Sequence, residues 1–128
     1  MLTTTHGFSG FSVTDIEAST TFYREVLGLE VSANEMGILD IALPGGGAHV
    51  LAYPKDDHVP AVFTILNFAV DDIDRAVDEL EAAGVALERY EGMPQDERGV
   101  MRGKAADRGP DIAWFLDPSG NILSVLSD

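Results

Sequence analysis

Phe11-Ser-Val-Thr-Asp-Ile-Glu17 and Phe68-Ala-Val-Asp-Asp-Ile-Asp74 align without a gap, with Phe, Val, Asp and Ile identical in phase. The two stretches lie 57 residues apart, and each runs into a helical pattern that stops at a glycine, Gly28 or Gly84. Self-similarity at a fixed period marks one supersecondary unit used twice.

The second helix is the clearer one. Asp71 or Asp72 can accept hydrogen bonds from the free amides at its start, and Gly84 suits the left-handed residue just past its end. Between them Ile73, Ala76, Val77 and Leu80 form one apolar stripe at helical spacing. The first helix follows the same plan, with Asp15 as its cap and Ile16, Phe22, Tyr23, Val26 and Leu27 turned inwards. Strands are expected before each helix at 8–13 and 64–70. Three more are expected after each: 30–32, 38–43 and 48–53, then 85–90, 112–116 and 122–126. The run Gly45-Gly46-Gly47 and the segment 117–121 (DPSGN) supply turns.

The plan is βαβββ, twice, in an α+β chain: one module over 7–53, a linker over 54–62 and a second module over 63–128. Each module covers one sheet face with its helix and leaves the other bare. Two bare faces can curl towards a shared cleft, a half-barrel cup. Alternation along the strands then assigns side chains to faces. Phe11 and Val13 go to the helix, and Phe8, Gly10 and Ser12 to the cleft; Leu66, Phe68 and Val70 go to the helix, and Ile65, Asn67 and Ala69 to the cleft.

Composition narrows the function. The chain has 128 residues, ordinary globular proportions and no cysteine, so a disulfide framework, a thiolate metal cluster and a cysteine nucleophile are out. Its 22 acidic against 8 basic residues give a net charge of −14, a poor match for nucleic acid or anionic lipid. With neither a signal-peptide pattern at the start nor a long apolar run, a soluble cytoplasmic protein is the default expectation.

The stretches 11–31 (FSVTDIEASTTFYREVLGLEV), 67–85 (NFAVDDIDRAVDELEAAGV) and 113–125 (AWFLDPSGNILSV) resemble the vicinal oxygen chelate superfamily. That group includes glyoxalase I, extradiol dioxygenases, fosfomycin-resistance enzymes and bleomycin-binding proteins. The resemblance spans both copies and implies the fold, while the activity varies widely within the group. Metal-using members place one ligand near the start of the first strand of each copy and one in its last strand. Carried to this chain, those positions are Phe8, Leu51, Ile65 and Ser124. Phe, Leu and Ile have no donor atom, and a serine hydroxyl is a poor substitute for a carboxylate. The resemblance therefore implies a relative without that metal and without a cofactor. It also implies a homodimer.

The expectation that follows is a binder of a small apolar or aromatic molecule, with Phe8, Leu51, Ile65 and Trp114 as apolar walls and Ser12, His49, Tyr53, Asn67 and Ser124 as polar contacts. The alternative is a lyase, isomerase or dioxygenase-type enzyme with relocated metal ligands, or metal-free acid–base chemistry using His49 and a nearby carboxylate. A third possibility is a cup filled by its own side chains. Each residue has a bland reading too. His49 could be a rim histidine and Trp114 a core tryptophan. His6 and His58 read as solvated. Asn67 reads as an inward amide, satisfied by a ligand or by a backbone carbonyl. The segment 91–110 reads as a long loop. Its Arg98 and Arg102 could reach an anionic ligand, or simply pair with Asp96, Glu97 and Asp107.

Overall fold

The computed structural model describes residues 1–128 as two compact units, Met1–Val59 and Pro60–Asp128, each an α+β module. In the first, strand β1 (Ser9–Val13) leads to helix α1 (Ile16–Thr21) and a π-helical stretch, Phe22–Val26. Strands β2 (Glu30–Ala33), β3 (Leu39–Ala42) and β4 (His49–Pro54) complete a four-stranded sheet in the order β1-β4-β3-β2. The β1–β4 pair is parallel and the other two are antiparallel. The second unit repeats the order as β5-β8-β7-β6, from β5 (Thr64–Ala69), helix α2 (Ile73–Ala82), β6 (Met101–Arg102), β7 (Asp111–Leu116) and β8 (Ile122–Ser127).

The repeated motif does the same work twice. Asp15 and Asp72 are extended residues whose carboxylates accept from Ala18 N–H and Arg75 N–H, capping α1 and α2. Gly28 and Gly84 close the helical segments at φ of +69° and +83°, a conformation a side chain disfavours. Ile73, Ala76, Val77 and Leu80 are all buried, as their spacing predicts, and α2 packs over β7 and β8. In the first module Phe11, Val13, Val31, Leu39, Ile41, Val50 and Ala52 line the helix-covered sheet face and are buried. Phe22 and Tyr23 are adjacent in sequence yet both buried, with their rings edge to face at 5.2 Å; Tyr23 also meets Phe11 at 5.9 Å.

Two local expectations need correction. Residues 85–90 do not form a regular strand. Leu87 bridges Phe115 and the Glu88 N–H donates to the Trp114 carbonyl, and then the chain leaves the sheet. Antiparallel continuation would bring Tyr90 opposite Ile112; Met101 stands there instead, eleven residues later. The second edge is therefore one strand interrupted by an excursion, and the expected loop over 91–110 contains its return, β6.

The Gln95 side chain explains how the edge survives the break. Its Oε1 accepts from Tyr90 N–H, and its Nε2 donates to the carbonyls of Glu88 and Gly99. One amide side chain thus takes up backbone groups that a ladder would otherwise pair. The second correction is at β5, where the pairing slips between Thr64 and Leu66: Thr64 stands opposite Ile122 and Leu66 opposite Leu123. The bulge leaves Ile65 out of the ladder, so simple alternation misassigns its face.

Candidate functional site

In the first module the face away from the helix carries the chemistry. Register places Gly10 beside Leu51 and Ser12 beside Tyr53, with Leu51 beside Asp40 and His49 beside Ala42. Phe8, Leu51 and His49 lie around an open hollow of about 470 Å3 that His6, Gly7, Asp40, Gly47 and Ala48 also line. Phe8 is 63% exposed, an apolar wall without a cover. His49 Nδ1 lies 2.6 Å from Asp40 Oδ1, which identifies the nearby carboxylate. Ser12 does not stand free: its hydroxyl shares a 2.6 Å hydrogen bond with His58 Nδ1. His58 is accordingly half-buried and not solvated. Tyr53 remains on this face and is exposed.

The second module holds a hollow of about 540 Å3, lined by Val62, Phe63, Thr64, Tyr90, Glu91, Gly92, Met93, Trp114 and Ile122. Trp114 is buried, its Nε1–H donates to Thr64 Oγ1 at 3.2 Å, and Tyr90 meets it edge to face at 5.6 Å. Thr64, not Ile65, belongs to this wall, a direct result of the bulge. Phe63 and Met93 are exposed at the hollow. The Tyr90 hydroxyl is buried and has no hydrogen-bond partner in the chain. Burial pushes its ionisation upwards, and the Glu88 carboxylate adds to the shift.

Asn67 and Ser124 stand opposite one another in register, and the Ser124 hydroxyl donates to Asn67 Oδ1 at 2.5 Å. Asn67 shares the sheet face of Ser124 and Trp114, is exposed there, and has a side chain as its partner in place of a backbone carbonyl. Arg98 and Arg102 line neither hollow. Arg102 holds Asp74 with both terminal nitrogens and Asp96 with Nε, while Arg98 meets Asp78 at 2.6 Å and Glu81 at 3.4 Å. Those contacts strap the excursion and β6 to helix α2. Of the local carboxylates expected as partners, Asp96 is engaged; Asp74, Asp78 and Glu81 come from α2, and Asp111 of β7 lies 4.0 Å from Arg102.

Sequence reading missed Tyr90 and Phe63 as wall residues and His58 as a partner of Ser12. Only Asp40 left a usable signal: a β3–β4 hairpin turning at Gly45-Gly46-Gly47 places it two residues from Ala42, on the His49 face. The positions that hold metal in metal-using relatives do not suit an ion. Phe8, Leu51 and Ile65 offer no donor atom, and the Ser124 hydroxyl is engaged with Asn67. No group of three or more His, Cys, Asp or Glu side chains is gathered closely enough to hold one elsewhere.

Known structures share this fold. The fosfomycin resistance protein FosX of Listeria monocytogenes is similar with a TM-score of 0.71 at 13% identity, covering 99% of this chain and 95% of its own. An integron cassette protein from the mobile metagenome of the Halifax Harbour sewage outfall gives 0.68 at 20% identity, covering 95% and 98%. TnmS3, an antibiotic binding protein from a Streptomyces species, gives 0.65 at 22% identity, covering 98% of each chain. No curated protein matches the chain. The profile of one family, however, matches residues 7–125, nearly the whole length and both modules. The chain belongs to the Glyoxalase/Bleomycin resistance protein/Dioxygenase superfamily.

Proposed function

We propose that this protein binds a small apolar or aromatic molecule and holds it without a metal ion, with the Trp114 hollow as the seat. The observation that carries the reading is the wall itself. An edge-to-face Trp114–Tyr90 pair and the exposed side chains of Phe63 and Met93 surround about 540 Å3, a volume within the range of small-molecule sites. Covering this surface removes apolar area from water at about 25 cal/mol per Å2, and the rings favour a planar guest. The metal positions that would drive Lewis-acid chemistry carry no suitable donor set, which favours holding over turnover. Similarity to an antibiotic binding protein and a resistance protein supports a protective role. Homodimerisation and a cytoplasmic location belong to the same proposal.

The test is titration with N-phenyl-1-naphthylamine, a neutral aromatic probe whose emission rises in apolar surroundings. The wild type gives saturable binding, and Phe63→Asp or Met93→Asp weakens it at least tenfold. Both residues are exposed, so neither change removes core packing. Binding that does not saturate, or that ignores both substitutions, refutes the proposal.

A further inference from the structure

We infer that the first module carries a separate site, built on the His49–Asp40 pair, that takes the proton of a small phenol or enol and holds the resulting anion. The argument starts from hydrogen-bond chemistry. An ionised carboxylate only accepts, so the 2.6 Å contact between Asp40 Oδ1 and His49 Nδ1 makes that ring nitrogen the donor. A neutral imidazole has one N–H, so the lone pair then sits on Nε2. The His49 ring meets Asp40 through Nδ1 alone, which leaves Nε2 available to a ligand.

The surroundings suit an apolar body carrying one acidic hydroxyl. Phe8 and Leu51 supply apolar surface beside His49, while Gly7, Gly47 and Ala48 keep the hollow open at about 470 Å3. Tyr53 and His58 share this face at its far end, beside Ser12, and the other titratable groups come from three directions. Asp40 lies on β3, His6 on the segment before β1, and Glu30 on β2 at the far end of the row Glu30–Ala42–His49.

The step balances without another reactant. The ligand O–H bond breaks, its electron pair stays on oxygen, and the proton forms a new bond to His49 Nε2. The imidazolium keeps its Nδ1–H on Asp40, and the ligand anion remains beside Nε2–H as a charge-assisted pair. Asp40 is a positioning residue here: it fixes the ring and its tautomer and does not itself take the proton.

The probe is 4-nitrophenol, whose anion absorbs visible light and whose neutral form does not. At a pH one unit below its own ionisation, the full chain produces a saturable anion band. His49→Gln abolishes the band while the circular dichroism spectrum is unchanged. Asp40→Asn lowers the affinity for the anion about tenfold and leaves the maximal binding stoichiometry intact. Saturating N-phenyl-1-naphthylamine leaves the band in place, which separates this site from the Trp114 hollow. The inference is overturned by the absence of an anion band in the wild type, by a band that persists in His49→Gln, or by its loss to the naphthylamine.

Discussion

The two modules share strand order, helix caps and core faces, yet they treat the edge of the sheet differently. In the first, β2 pairs with β3 over four consecutive residues from Glu30 to Ala33. In the second, the edge is cut between Leu87 and Met101, and the intervening chain walls a hollow with Tyr90 and Met93. The break is held by side chains: Gln95 replaces ladder partners, and Arg98 and Arg102 tie the excursion to α2. The difference teaches that a repeated scaffold can open a hollow at a sheet edge while its core stays as it was. Edge residues owe only one side of their hydrogen bonding to the sheet, so side chains can take over that share.

The largest effect expected from breaking this contrast is at a pair of glycines. A Cβ on Gly103 would stand 2.3 Å from the Pro110 carbonyl oxygen and 2.8 Å from that of Gly109, so backbone must move. Gly103→Ala should destabilise by about 3 kcal/mol. Gly46→Ala, in the first module's turn, meets nothing within 4 Å and should be nearly neutral; denaturant melts of both variants check the contrast.

The next effect is at the closing turns. Asp117 Oδ1 accepts from the buried amides of Ser119 and Asn121, and Oδ2 accepts from Asn121 Nδ2. Asp117→Ala strands these donors and should cost about 2 kcal/mol in the same melts. No side chain plays this part at Gly45-Gly46-Gly47, where Leu43 and Ala48 close the turn through backbone alone.

The strap should give way in acid. Hydrogen bonds from Arg102 hold the Asp74 carboxyl below its ordinary range. Burial pushes the Asp96 carboxyl up, but the Val100 amide, Arg102 and the Arg98 amide outweigh it and hold that group down as well. A carboxyl with a lowered folded pKa adds stability that is complete above its unfolded value of about 3.9 and is lost as pH falls further. Emission from Trp114, the only tryptophan, should therefore change below about pH 4. Arg102→Ala should flatten that response and reduce its sensitivity to salt.

The smallest effect reverses the usual sign. The Tyr90 hydroxyl is buried without a partner, so Tyr90→Phe should leave stability unchanged or raise it by up to about 1 kcal/mol. A loss on melting would show that the hydroxyl has a partner after all.

Much of this molecule is legible because its determinants are local. The capping aspartates, the terminal glycines and the stripe from Ile73 to Leu80 each act within one or two turns of chain, and the helix-covered faces of β1, β3 and β4 follow from alternation. The candidate sites were read less completely, for physical reasons. Alternation assigns Ile65 to the cleft, and a bulge between Thr64 and Leu66 breaks that alternation. Residues 85–90 read as a strand, yet only Leu87 bridges the sheet, and nothing local announces that Gln95 will stand in for the ladder. The Ser12–His58 bond joins residues 46 apart, and the carboxylates that hold Arg98 lie 17 and 20 positions away on α2. Such pairings are decided by packing, which spacing alone does not encode.

The most direct test of the central claim is the indole N–H resonance of Trp114 in 15N-labelled protein titrated with N-phenyl-1-naphthylamine. A single tryptophan gives a single indole signal, so the assignment is unambiguous. The account predicts a saturable shift of that signal, with the same affinity as the rise in probe emission. A resonance that stays fixed while the probe binds would place the seat elsewhere and contradict the account.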